Sequence, residues 1–177
     1  MKKIITIVLL VFILFESSSL LATSREYKIK GAFLFHFTDF VQWPEKKSSY
    51  IIAVIGKDPF DGYLDKLAIS MRKKKNKKIS IEYYRSFDEV KQLPDIVFIS
   101  IKQQLEKYQL HRQFKNKPML TVAEHNNMID ACGVIRIYNK KRKVRLEINV
   151  KRAKQNNLKI SSKLLRLAKV KGDLCEP

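Results

Sequence analysis

The segment Tyr50–Ile55 is an unbroken apolar run, Tyr-Ile-Ile-Ala-Val-Ile. A strand wet on one face alternates polar and apolar residues, so this run belongs in a sheet covered on both faces. Such sheets are mostly parallel, and parallel strands need crossovers long enough for a helix. The neighbouring sequence supplies that rhythm. Gly56-Lys57-Asp58-Pro59-Phe60 turns the chain, and Phe60–Met71 reads as a helix. Ile79, Ile81 and Tyr83 alternate with polar neighbours as a second strand. Ser86-Phe87-Asp88-Glu89 has capping-box spacing for a short helix ending before Pro94. Asp95–Ile101 reads as a third strand, Lys102–Phe114 as a helix and Pro118–Val122 as a fourth strand. The expected fold is α/β, a largely parallel sheet of about four strands with helices on both faces and a C-terminal β-hairpin.

That hairpin is read from the change of rhythm in the last third. Val134–Tyr138 and Val144–Asn149 flank the basic turn Asn139–Lys143. Val150–Gln155 follows as a short helix. Ile160–Val170 is expected as a closing helix that buries Leu164, Leu165, Leu167 and Ala168, capped by Ser161 or Ser162. At the other end, Glu26–Trp43 reads as a helix stopped by Pro44. Ile29, Phe33, Phe37 and Val41 recur at four-residue spacing, and Ala32, Phe35 and Phe40 widen the apolar face. Core packing accounts for most of these. So many aromatics on one helix also make Phe33 and Phe37 candidates for a contact surface.

The N-terminus is not expected to join this domain. Lys2 and Lys3 precede the apolar run Ile4–Phe15, and Ala22-Thr23-Ser24 places small residues before Arg25. Those are the parts of a secretory signal peptide. The run is shorter than the roughly 20 residues of a spanning helix. Residues 1–24 are therefore expected to be removed and residues 25–177 to work outside the cytoplasm as one domain. With 5 Gly and 5 Pro in the whole chain, no linker divides it.

The chain carries 36 Lys+Arg against 17 Asp+Glu, a net charge of +19. In an exported protein that balance points away from nucleic acid; it reads first as a solvated lysine-rich surface, and otherwise as attraction to anionic lipid headgroups or an acidic partner. The cluster Arg72-Lys73-Lys74-Lys75 is expected in a loop. Two cysteines, Cys132 and Cys175, can pair in an oxidising compartment. No Gly-rich phosphate loop, nucleophile elbow or H-E-x-x-H is present, and His36, His111 and His125 share no ligand spacing. No enzyme activity, metal or cofactor is expected.

Two places are candidates for binding, the first read otherwise as a plain tight turn and the second as a solvated face. Asp58, Pro59 and Phe60 leave the carboxyl end of the first strand, where ligands of open α/β sheets sit. Arg145, Glu147 and Asn149 share one face of their strand, with Arg136 and Tyr138 across the hairpin. An arginine there suits a carboxylate or phosphate.

Several segments together resemble the YfiR-like periplasmic regulators of membrane signalling enzymes. They are Tyr27-Lys28-Ile29-Lys30-Gly31-Ala32-Phe33-Leu34-Phe35, Phe40-Val41-Gln42-Trp43-Pro44, Ile55-Gly56-Lys57-Asp58-Pro59-Phe60, Val97-Phe98-Ile99-Ser100 and Leu120-Thr121-Val122. Val144-Arg145-Leu146-Glu147-Ile148-Asn149 and the stretch Leu158–Ala168 follow in the family's order. The resemblance implies a non-enzymatic α/β domain, often dimeric. It implies binding to the periplasmic region of an inner-membrane diguanylate cyclase or sensor kinase, repression of that partner, and an influence on cyclic di-GMP and biofilm. The family often has a Cys before the Val97 strand, where this chain has Pro94-Asp95. It commonly has Gly-Gly before the hairpin, where this chain has Cys132-Gly133. The family's cysteine pairs therefore do not carry over, and a Cys132–Cys175 bridge would be this chain's own. The rival expectation is a periplasmic small-ligand binding or transport-accessory protein using the Asp58 loop and the hairpin row.

Overall fold

The computed structural model describes residues 25–75, 77–100 and 116–172. It begins with helix α1 over residues 25–40. There follow β1 (Val41–Gln42), β2 (Ser49–Ile55), α2 (Tyr63–Lys75) and β3 (Lys78–Tyr84). A 3-10 turn (Phe87–Glu89) leads to β4 (Ile96–Ile99), β5 (Leu120–Ala123) and the strands β6 (Ile135–Lys140) and β7 (Lys143–Asn149). The chain closes with α3 (Val150–Gln155), β8 (Lys159–Ile160), α4 (Ser162–Leu165) and β9 (Ala168–Lys171).

Among the described residues one sheet has seven strands in the order β3-β2-β4-β5-β6-β7-β9. The pairs from β3 to β6 are parallel, β6 and β7 form the antiparallel hairpin, and β9 runs parallel to β7. The apolar runs explain the burial. In β2, Ile52 and Val54 face a large core with Leu34, Phe37, Phe98 and Leu146. Ala53 and Ile55 face a second core with Val97, Ile99, Met119 and Met128. Both faces of β2 and β4 are thus dry, which is why neither strand alternates.

Three expectations are corrected. Helix α1 stops at residue 40, because Val41 and Gln42 pair antiparallel with Ile160 and Lys159. The expected closing helix is instead β8, the four-residue α4 and strand β9. Pairing with β7 outweighs local helical periodicity there, leaving Leu167 64% exposed while Leu164 is buried. Of the two cap candidates, Ser161 caps α4, its Oγ accepting from the Leu164 N–H at 3.3 Å. Arg72–Lys75 lies in the last turns of α2 rather than in a loop, where cations suit the helix dipole. The expected helix Lys102–Phe114 lies outside the described residues.

Gly133, just before β6, is under Met128. A Cβ there would stand 2.8 Å from the Met128 carbonyl oxygen. Gly133→Ala is therefore expected to destabilise the fold by about 1–3 kcal/mol, read as a lower urea midpoint with an unchanged slope.

Candidate functional site

Strand β2 has β3 on one side and β4 on the other. The strand order reverses between β2 and β4, and a crevice lies beyond their carboxyl ends, the place where open α/β sheets bind ligands. Gly56 ends β2 at φ 100, a backbone open only to glycine, and its N–H donates to Tyr84 O at 2.7 Å. Asp58 then holds the loop. Its carboxylate accepts from the Phe60 N–H at 2.8 Å and the Gly62 N–H at 3.1 Å. Ser100, following β4, donates from both N–H and Oγ to Ile55 O. The crevice holds about 410 Å³ and is lined by Tyr27, Lys57, Asp58, Ser100, Glu124 and His125 among others.

Its electrostatics centre on a buried lysine. Lys30 of α1 is 2% exposed and pairs with Glu26 one turn earlier and with Glu124, at 2.9 Å. It also lies 4.7 Å from the centre of the Tyr27 ring. Burial pushes the Lys30 ammonium down, but its bonds to Glu26 and Glu124 outweigh that and hold it above the ordinary lysine value. Burial raises Glu26, yet bonds from Lys30 and Asn139 hold it below the usual carboxylate value. Burial and the Glu124 charge push the Tyr27 hydroxyl up. That hydroxyl donates to Glu124 Oε2 at 3.4 Å. Glu124 Oε1 is buried and has no hydrogen-bond partner among the described residues.

The hairpin reaches the same loop through Arg136. Its Nη1 donates to Glu147 at 3.0 Å, its Nη2 to Asn126 and its Nε to the Glu124 carbonyl at 3.4 Å. Its guanidinium also packs 4.2 Å from the Tyr138 ring centre. The strand register sets Arg136 opposite Glu147 and Tyr138 opposite Arg145, the cross-hairpin row expected from sequence.

The structure separates the candidate residues. Asp58 and Pro59 line the crevice. Phe33 is half-buried and lines a groove along α1. Arg145 is exposed. Phe37 and Phe60 are core residues, Phe60 packing edge-on to Phe98 with ring centres 4.9 Å apart. As contact residues they are corrected, since their rings are spent on the interior. Asn149 is also buried and caps α3, its Oδ1 accepting from the Arg152 N–H at 2.9 Å. Glu147 is buried between Arg136 and Lys171. The hairpin row therefore keeps only Arg145 for an outside partner. Asp95 accepts from the Ile51 N–H at 2.8 Å and pairs with Lys47 at 2.5 Å, pinning the start of β4 to β2. Cys132 carries no free thiol. Its backbone is left-handed, φ 64, where a glycine would sit without strain. Cys175 lies outside the described residues. Sequence reading missed Lys30, Glu124 and Tyr27. The i,i+4 spacing of Glu26 and Lys30 was the available signal.

The sequence pattern of the YfiR/HmsC-like family matches residues 27–169, from the first turn of α1 into β9. The chain belongs to that family. YfiR/HmsC-like proteins are periplasmic and regulatory rather than catalytic. The matched span takes in the crevice, Lys30, Glu124 and the whole hairpin. No curated protein matches the chain.

Proposed function

We propose that this YfiR/HmsC-like chain is an exported, non-enzymatic regulator of an inner-membrane signalling protein. It binds the partner's periplasmic region and represses it. The partner is a diguanylate cyclase, with a sensor kinase as the other candidate, and the output is cyclic di-GMP and biofilm. The observation that carries the reading is the family match over residues 27–169. The Asp58–Pro59 loop and the exposed Arg145 are the surfaces for protein contact. Residues 1–24, outside the described residues, are proposed as the signal peptide, and a homodimer as the working form. Affinity capture from solubilised membranes is expected to recover a cyclase or kinase, and deletion is expected to raise cyclic di-GMP. Recovering no membrane signalling protein, with cyclic di-GMP unchanged, overturns the proposal.

The second reading is small-ligand binding in the crevice. The unpartnered Glu124 Oε1 favours it, because a buried acceptor gains most from a donor brought by a ligand. A ligand held at a hundredfold its dissociation constant stabilises the native state by about 2.7 kcal/mol. Thermal-shift screening of amines and amphoteric metabolites would show this as a raised melting temperature, lost in Glu124→Gln. No shift across such a panel sinks the reading.

A further inference from the structure

A groove of about 320 Å³ runs along the outer side of α1, lined by Ile29, Phe33, His36 and Tyr63 with Arg25 and Lys28. Residues 25, 29, 33 and 36 form one helical stripe. Ile29 is 41% exposed. Beside this stripe lies the hairpin tip, because Asn139 donates to Glu26 Oε2 at 2.6 Å. The tip, Lys140-Lys141-Arg142-Lys143, is four exposed cations in a row. None of them has an ion-pair partner among the described residues. Glu26, which the adjoining Asn139 reaches, is already held by Lys30.

Folding alone disfavours this tip. Lys140 and Lys143 stand directly opposite in the register, a repulsive cross-strand pair. Lys141 and Arg142 occupy left-handed backbone, φ 51 and 60, in a two-residue turn where Asn-Gly is the relaxed choice. What the tip supplies instead is charge density next to an apolar stripe. Apolar side chains flanked by lysines suit the boundary between headgroups and acyl chains. Three of the four tip cations are lysines, compact point charges that match a diffuse anionic surface better than a bidentate protein contact. The net charge of +19 adds long-range attraction of the same sign.

We propose that this face docks on an anionic lipid bilayer, with the hairpin tip, Arg25 and Lys28 at the headgroups and Ile29 in the interface. This does not rest on the identity of any protein partner. The test is flotation of the full chain, as purified from cells, with vesicles containing phosphatidylglycerol and with vesicles of phosphatidylcholine alone. Binding is expected only to the anionic vesicles, fading as salt shortens the Debye length toward about 3 Å at 1 M. The variant Lys141→Asn with Arg142→Gly removes two charges and installs the relaxed turn. It should melt no lower than the parent yet partition about twenty-five-fold less, at about fivefold per cation. Ile29→Ser should weaken partition while leaving its salt dependence unchanged. Absence of binding to anionic vesicles at low salt overturns the proposal, as does equal partition of the turn variant. Retention on immobilised polyglutamate without vesicle binding would assign the patch to an acidic protein, which also overturns it.

Discussion

Lys30→Met is expected to lower the stability of the fold by about 2–4 kcal/mol. Methionine keeps the length and apolar stem of the buried side chain, so packing changes little. What goes is the charge between Glu26 and Glu124. Removing one member of a buried ion pair costs about 3–5 kcal/mol, because the remaining charge is left uncompensated. Both carboxylates are partly exposed here, which places the expectation toward the lower end. Thermal unfolding should show a fall of about 6–12 °C. An unchanged melting temperature would mean that α1 is held to the sheet by packing alone.

The pH dependence sharpens that test. The folded Lys30 pKa is raised, so its contribution is full below the ordinary lysine value and is lost only as pH rises through the folded value. The folded Glu26 pKa is depressed, so its contribution is full above the ordinary value and is lost as pH falls through the folded one. The parent should therefore be flat near neutrality with respect to this pair and weaken toward both extremes. In Lys30→Met the Glu26 carboxylate is desolvated without its cation, and protonation relieves it. The gap between parent and variant should narrow as pH falls from about 7 toward 4. A gap that widens in acid contradicts the ion-pair account.

The second large effect concerns Cys132. On the proposed bridge to Cys175, reduction or Cys132→Ser should cost about 3–4 kcal/mol, since the bond closes a loop of roughly 40 residues. Cys132→Gly loses the same bond but removes a left-handed non-glycine residue, so it should be milder by about 1 kcal/mol. Ordering the three proteins by urea midpoint as parent, glycine, serine checks both ideas at once. Alkylation of two thiols without prior reduction would dismiss the bridge.

The parallel core was legible because burial on both faces leaves a direct mark. Tyr50–Ile55 and Ile96–Ile99 contain almost nothing polar, and Gly56 marks where β2 ends. The end of the chain was not legible. Leu164, Leu165, Leu167 and Ala168 have helical spacing, and only the free edge of β7 makes Ala168–Lys171 a strand. That partner is invisible in a local pattern. The candidate site was half legible for a similar reason. Asp58 stands next to a strand end and is found by position. Lys30 meets Glu124 from 94 residues away, and no spacing rule joins them. Phe37 and Phe60 were misread because aromatic content does not tell which side of a helix or loop faces inward.

Strand β9 has a further consequence. Among the described residues it ends the sheet, and a terminal strand offers unpaired N–H and C=O groups to any passing chain. Here that edge is four residues long and carries Lys169 and Lys171. A second copy laid alongside would set like charges against each other. The lysines thus guard the open border of the sheet against growth into larger aggregates, a safeguard that Lys169→Val together with Lys171→Val would remove.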